Sequence, residues 1–115
     1  MEARASAKYI RMSAKKVRRV AEVVRGRPVD EALAILRVLP HRGARVIEKA
    51  IRSAVANAEH NLDLDRESLV VAKVAVDRGP GGSLWKRLWP RARGRADIIR
   101  RHTCHVTVVV AERET

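Results

Sequence analysis

The sequence LVVAKVAVD, at residues 69–77, alternates its apolar side chains with a period of two. The same period returns in TCHVTVVV, at residues 103–110. Such alternation is typical of β-strands with one buried face. A single segment, GPGGSLWKRLWPRARGRADIIRRH at residues 79–102, joins the two stretches. Two strands joined in this way predict a hairpin, and we interpret the rest of the chain as the domain that carries it.

Each of these strands is predicted to bury one apolar face. That face consists of Val70, Ala72, Val74 and Val76 in the first strand, and of Cys104, Val106, Val108 and Val110 in the second. If the joining segment continues both strands outward, it projects by roughly 30 to 40 Å, at about 3.3 Å per residue. We therefore assign residues 78–102 to an extended basic arm within a single domain of residues 1–115.

The arm is strongly basic and contains one acid, Asp97. Within residues 79–102 the cations are Lys86, Arg87, Arg91, Arg93, Arg95, Arg100 and Arg101. So much like charge does not pack on itself, and the few apolar residues do not offset the entropy of ordering, so an outside partner is expected. Arginines spaced around Trp85 and Trp89 match a phosphate backbone with accessible bases. The alternative is a disordered basic loop.

The composition of the whole chain also points to a polyanionic partner. The 115 residues suffice for one domain and carry a net charge of +12, with a pI near 11.3. Nucleic acid is favoured over a membrane, because no lipid anchor, polybasic tail or long apolar span is present. The N-terminus lacks the apolar core of a signal peptide, and the single cysteine fits a reducing compartment. We expect a cytoplasmic protein with no membrane partner.

Three helices are predicted ahead of the two strands. A short strand over Ala3–Arg11 precedes a first helix that begins at Ser13 as N-cap and ends at Gly26. The second helix is predicted over Pro28–Leu39. The third and longest covers Arg42–Asn61, and its apolar stripe makes it the expected centre of the core.

Two sites in the helical part are candidates for RNA contact. Cations near the start of the first helix, beside its free N–H groups, form a possible phosphate seat: Lys8, Arg11, Lys15, Lys16, Arg18 and Arg19, with Ser13 at the N-cap. The alternative is an ordinary solvated helix face. On the third helix, Asn57 and Asn61 let a ribose or another backbone approach closely, or else form hydrogen bonds at the edge of the core.

Catalytic and metal sites are not expected. His102 and Cys104 share a face of the second strand, but His105 points the other way and no further cluster completes four ligands. The acids of residues 61–68 lack the glycine and closing glutamate of a calcium loop. GPGG lacks the Lys-Ser/Thr of a phosphate loop, and no paired carboxylates suggest acid–base chemistry. We therefore expect neither an enzyme nor a cofactor, metal or small-molecule substrate.

The C-terminal part carries a specific motif. Lys86 is followed after four residues by RARGR at residues 91–95 and, nine residues later, by HVTVVV at residues 105–110. AKYIRMSAKKVR at residues 7–18, SAVANAEHN at residues 53–61 and the segments PVDEALAIL, HRGA and VDRGP support it. On these motifs the chain resembles, over nearly its whole length, the bacterial family of large-subunit ribosomal proteins conventionally numbered twenty-two. Ala14 and a lengthened Gly81–Trp85 depart from the family pattern.

The resemblance implies an α+β fold, with three helices packed on a small antiparallel sheet and a long protruding β-hairpin. It implies a structural constituent of the large ribosomal subunit that assists assembly. Its partners would be large-subunit ribosomal RNA, neighbouring ribosomal proteins and, at the hairpin tip, the nascent polypeptide in the exit tunnel. Lys86, Arg87, Arg91, Arg93 and Arg95 would be the hairpin contacts by position.

The full set of predicted contacts joins these residues to the sites in the domain. The predicted RNA-binding residues are Lys8, Arg11, Ser13, Lys15, Lys16, Arg18, Arg19, Asn57, Asn61, Arg78, Lys86, Arg87, Arg91, Arg93, Arg95, Arg100, Arg101 and His102. The predicted tunnel-tip residues are Leu84, Trp85, Leu88, Trp89 and Pro90. Two other classes of function remain open: a free-standing RNA chaperone or regulator, and a small nuclease with a histidine base.

Overall fold

The computed structural model describes residues 2–78, 86–90, 96–100 and 103–112, with backbone and pairing alone at 86–90 and 96–100. Its elements are β1 (Glu2–Ile10), α1 (Ala14–Val24), α2 (Val29–Val38), α3 (Arg42–Leu62), a 3-10 turn (Arg66–Ser68), β2 (Leu69–Arg78), β3 (Lys86–Pro90), β4 (Ala96–Arg100) and β5 (Cys104–Glu112). The three helices pack on an antiparallel sheet of order β1-β5-β2. The predicted α+β class is confirmed, and each predicted helix lies within two residues of its expected bounds.

The connection between α1 and α2 is fastened to β2. Gly26 has φ +83°, a left-handed conformation that glycine adopts at no steric cost, and this ends α1 as the sequence predicted. The Gly26 N–H donates to the Val71 carbonyl at 2.8 Å, and the Val71 N–H donates to the Arg27 carbonyl at 2.9 Å. Pro28 forms an antiparallel bridge with Val70. These bonds occupy part of the outer edge of β2, where no further strand pairs with it.

The core is aliphatic and lies between the helices and one face of the sheet. On α3, Ile47, Ile51 and Ala54 are completely buried, as expected for the central helix. Glu48 is also buried, and its carboxylate accepts hydrogen bonds from Arg45 at 2.8 Å and Arg52 at 2.6 Å. Arg45 donates in addition to the carbonyls of residues 37 and 39, so it binds the C-terminal end of α2 to α3.

A β-bulge in β2 corrects one sequence-based prediction. Val71 pairs with Val110 but Lys73 pairs with Val109, so Ala72 is an extra residue. Beyond Ala72 the alternation changes phase, because a one-residue insertion moves each later side chain to the opposite face. Leu69, Val71, Val74 and Val76 are therefore buried, whereas Ala72 is exposed and Val70 only half-buried. The prediction that Val70 and Ala72 share the buried face was wrong. The predicted face of β5 is confirmed, with Cys104, Val106, Val108 and Val110 fully buried.

The predicted hairpin is present as antiparallel pairing both at the base of the arm and within it. The β2–β5 ladder runs out to the pair Arg78–Cys104, and β3 then pairs antiparallel with β4 from Lys86–Arg100 to Pro90–Ala96. Between these ladders lie seven residues, 79–85, on one side and three, 101–103, on the other. The excess falls on the side where the sequence departs from the family pattern. Residues 91–95 connect β3 to β4.

The packing of α3 predicts a large loss of stability when its apolar face is truncated. Ile51→Ala should lower the free energy of unfolding by about 2 to 5 kcal/mol, because Ile51 is 0% exposed and its removal leaves a cavity. The matched control is Val38→Ala on α2, which is 79% exposed and should change stability by less than about 0.5 kcal/mol. Urea unfolding measures both. Equal effects would contradict the placement of the core.

Candidate nucleic-acid interface

A cationic surface surrounds the start of α1, as the sequence predicted. Lys8, Lys15, Lys16 and Arg19 are all exposed. The first turn of α1 contains no acid, and the Ser13 side chain, at the N-cap, makes no hydrogen bond to it. The N–H groups of that turn are therefore available to an anion, and the helix dipole favours one there.

Arg18, which the sequence assigned to this surface, is bound to the sheet. Its Nε and Nη2 both donate to the Val76 carbonyl, at 3.0 and 2.8 Å. At the C-terminal end of α1, Arg25 Nη2 donates to the Val74 carbonyl at 2.8 Å. Both carbonyls lie on β2, an edge strand, so the two guanidinium groups occupy acceptors that would otherwise attract another chain. Arg25 was not among the predicted residues, although its spacing of seven from Arg18 places both beside the apolar stripe.

Asn57 has a similar role at the opposite edge of the sheet. Its Nδ2 donates to the Arg4 carbonyl on β1 at 2.9 Å, which matches the alternative of hydrogen bonding at the edge of the core. Asn61 is exposed one turn further along α3. The two asparagines line a shallow cavity of about 260 Å³ together with Glu2, Arg4 and their neighbours. Asn61 is thus better placed than Asn57 for an external contact.

Tyr9 and His105 form an aromatic pair that the sequence analysis did not select. The Tyr9 N–H donates to His105 Nδ1 at 3.0 Å, so the neutral ring has its proton on Nε2. The two rings meet edge to face, with centroids 5.0 Å apart and an interplanar angle of 86°. Tyr9 is 58% exposed and has φ 58°, beside a register shift between Ala7 and Ile10. The available signal was the presence of the chain's single tyrosine within its most basic N-terminal segment.

The predicted arm residues are placed only by backbone pairing or lie outside the described residues. Lys86 and Arg87 are in β3, opposite Arg100 and Ile99 of β4. Arg78 is exposed at the end of β2, where the arm begins. The predicted residues outside the described part are Leu84, Trp85, Arg91, Arg93, Arg95, Arg101 and His102. Leu88, Trp89 and Pro90 end β3, directly before the connection at residues 91–95.

The charges are distributed unequally over the chain. Residues 3–21 contain seven lysines and arginines and no acid. Acids instead gather where α2 meets the 3-10 turn, where Arg66 Nε lies 3.0 Å from Asp30 Oδ1. Among the described residues, β1 and the start of α1 are therefore the surface with the most favourable potential for a polyanion.

The described residues offer no catalytic or metal constellation. Cys104 is fully buried, and burial raises the pKa of its thiol above the ordinary value for cysteine, although the nearby Arg18 guanidinium opposes the shift. A buried thiol with a raised pKa is a poor nucleophile. Within the described ranges no three His, Cys, Asp or Glu side chains lie close enough to hold a metal ion. No helix in the same part of the chain is sufficiently long and apolar to span a membrane.

Comparison with known proteins finds the same family by two routes, a family model and individual relatives. The model of the family "Ribosomal protein L22p/L17e" matches residues 5–111. The large ribosomal subunit protein uL22 of Desulforamulus reducens is 54% identical over 114 residues, which cover 99% of this chain and 98% of the relative. Its counterpart in Carboxydothermus hydrogenoformans is 55% identical with the same coverage. That of Roseiflexus castenholzii is 54% identical, again over 99% and 98% of the two chains.

Neighbouring arginines on α1 provide a test of which cations serve the fold. Arg18→Ala should lower the free energy of unfolding by about 1 to 2 kcal/mol, because it leaves the Val76 carbonyl without its charged donor. Arg19→Ala removes the same charge from an exposed position and should change stability by less than about 0.5 kcal/mol. Denaturant unfolding at constant salt compares the two variants. Equal stabilities would show that the Arg18 hydrogen bonds contribute nothing.

Proposed function

This chain belongs to the family of ribosomal protein L22p/L17e, and we propose that it is a structural constituent of the large ribosomal subunit that binds ribosomal RNA. The observation that carries this proposal is the acid-free cationic segment at residues 3–21, displayed on the family's fold. Its relatives are named large ribosomal subunit protein uL22, and its family comprises ribosomal proteins rather than enzymes. Its place of action would be the ribosome in the cytoplasm, among ribosomal RNA and neighbouring ribosomal proteins.

The domain would hold RNA mainly through phosphate contacts. Lys15, Lys16 and the unoccupied N–H groups of α1 provide a seat for one phosphate group. Lys8 and Arg19 extend the positive surface on either side. Contacts of this kind position a protein on RNA without reading base sequence, because every nucleotide presents the same phosphate.

The arm would reach RNA that the domain does not touch. The β2–β5 ladder ends at the pair Arg78–Cys104, so the chain enters and leaves the arm at neighbouring positions of the sheet. Its cations would bind phosphates along the way. We propose, following the family resemblance, that Leu84, Trp85, Leu88, Trp89 and Pro90 lie at the tunnel wall, where the nascent polypeptide passes. The pairing supports this in part, since residues 88–90 adjoin the connection that closes the hairpin.

Sedimentation with ribosomal subunits tests the proposed function. The tagged protein, expressed in a related bacterium, should sediment with large subunits through a high-salt wash. A free-standing RNA chaperone would be released by that wash and recovered with free RNA, which would contradict ribosomal membership. With six or more phosphate contacts, affinity for purified large-subunit ribosomal RNA should fall about a thousandfold or more between roughly 50 and 200 mM salt. A shallow salt dependence would contradict binding through phosphates.

The two tryptophans test the role of the arm. At least one of Trp85→Ala and Trp89→Ala should weaken binding to ribosomal RNA by about 1 to 3 kcal/mol, the usual contribution of a stacked base, with the melting temperature unchanged. Leu88→Ala, adjacent in β3, is the control for loss of an apolar side chain. Filter binding and thermal unfolding provide the measurements. If both tryptophan variants bind like the parent, the rings do not stack on RNA.

A further inference from the structure

We infer that the ring of Tyr9, supported by His105, is a stacking site for one unpaired nucleobase of ribosomal RNA. The inference rests on the proposed RNA-binding function and adds a base-contacting site on the domain, outside residues 78–102 of the arm. It depends on three features of the described residues: the exposure of the ring, the way it is fixed, and the charge of the surface around it.

The geometry of the aromatic pair leaves ring surface for a base. In an edge-to-face pair, each contact covers at most one face of each ring. The interplanar angle of 86° therefore leaves at least one face of Tyr9 uncovered by His105, in agreement with its 58% exposure. A nucleobase stacks on such a face whatever its identity, because every base has a π-face.

The backbone at Tyr9 is held in a conformation that tyrosine rarely adopts. Its φ of 58° lies in the left-handed region, which a bulky side chain occupies only when the surrounding structure enforces it. The register shift between Ala7 and Ile10 and the bond from the Tyr9 N–H to His105 Nδ1 impose this conformation. The ring is therefore oriented before any ligand arrives, which reduces the entropy lost on binding.

The pair lies on the face of the sheet that the helices do not cover. His105 alternates with Cys104 and Val106, whose side chains are buried beneath the helices. Directly paired residues share a face, so Asp77 flanks His105 across β2, and Arg4 and Lys73 flank Val109 further along the same face. Arg4 and Lys73 are exposed, about 13 Å from His105 at the usual rise of a strand.

The surrounding charge favours RNA over a protein partner. Lys8 precedes Tyr9 in the chain, and residues 3–21 carry seven cations and no acid. The acid that lies next to the aromatic pair is Asp77, which pairs with His105 across the sheet. Cations therefore outnumber acids around the ring. A protein partner would have to match this surface with a comparable excess of acids, while the backbone of RNA supplies one negative charge with every base. Cations next to an exposed ring are the combination used for single-stranded nucleic acids.

The test compares a variant that lacks the ring with one that keeps it. Tyr9→Asn removes the ring and retains a residue that tolerates the left-handed conformation, whereas Tyr9→Phe retains the ring. Binding to in-vitro-transcribed large-subunit ribosomal RNA should weaken at least about fivefold in Tyr9→Asn and by less than about twofold in Tyr9→Phe. Thermal unfolding should show no destabilisation of Tyr9→Asn.

The salt dependence separates stacking from charge. Tyr9→Asn should weaken binding at every salt concentration without changing the slope of log affinity against log salt. Lys8→Ala is the matched control and should reduce that slope by about 0.7 to 0.9 for the phosphate contact it loses.

Different failures have different meanings. If Tyr9→Asn binds RNA like the parent, the stacking site is refuted while the proposed function stands. If the variant binds free RNA normally but fails to enter assembled subunits, the partner of Tyr9 is a protein. The stacking site is then also refuted, and the proposed function again stands. If the parent itself does not bind ribosomal RNA, the proposed function fails first.

Discussion

Antiparallel pairing between β2 and β5 is the interaction on which both the domain and the arm depend. β5 is the central strand, so it also pairs with β1, and its fully buried valines form the sheet surface against which the helices pack. The same ladder runs without interruption from the bulge to the pair Arg78–Cys104, where the chain enters the arm. A change that loosens β5 would therefore disturb both the core and the end of the sheet where the arm begins.

A chain with a net charge of +12 has to fold against the repulsion among its own cations, and these cations fall into two groups. Arg18, Arg25 and Arg45 direct their planar guanidinium groups at backbone carbonyls, which satisfies a strand edge and a helix end with charged donors. Other cations, among them Lys8, Lys15, Lys16 and Arg19, are exposed around β1 and α1, away from the acids beside the 3-10 turn. Part of the positive charge thus stabilises the domain, and the rest is left for a polyanion.

The sequence predicted the elements well, because helical and strand periods are long-range patterns that single residues do not obscure. It did not predict the bulge at Ala72, since an extra small residue in a run of valine and alanine leaves the composition of the strand unchanged. Nor did periodicity reveal that Arg18 binds a carbonyl of an edge strand, or decide between the two roles considered for Asn57, because both depend on distances between elements far apart in the chain. Tyr9 was missed because a positive φ within a strand has no signature in residue type. The arm contacts came from charge and family resemblance and stay predictions.

The bulge at Ala72 lets two apolar patterns of opposite phase share one buried face. Leu69 and Val71 stand at odd-numbered positions and Val74 and Val76 at even-numbered ones, so a strictly alternating strand would bury only one of the two pairs. The bulge places two residues of β2 opposite one of β5, which absorbs the difference and turns all four side chains toward the helices. Deleting Ala72 would therefore give a regular ladder with the same four side chains buried, so this alanine changes the local twist of β2 and leaves the composition of the core as it is.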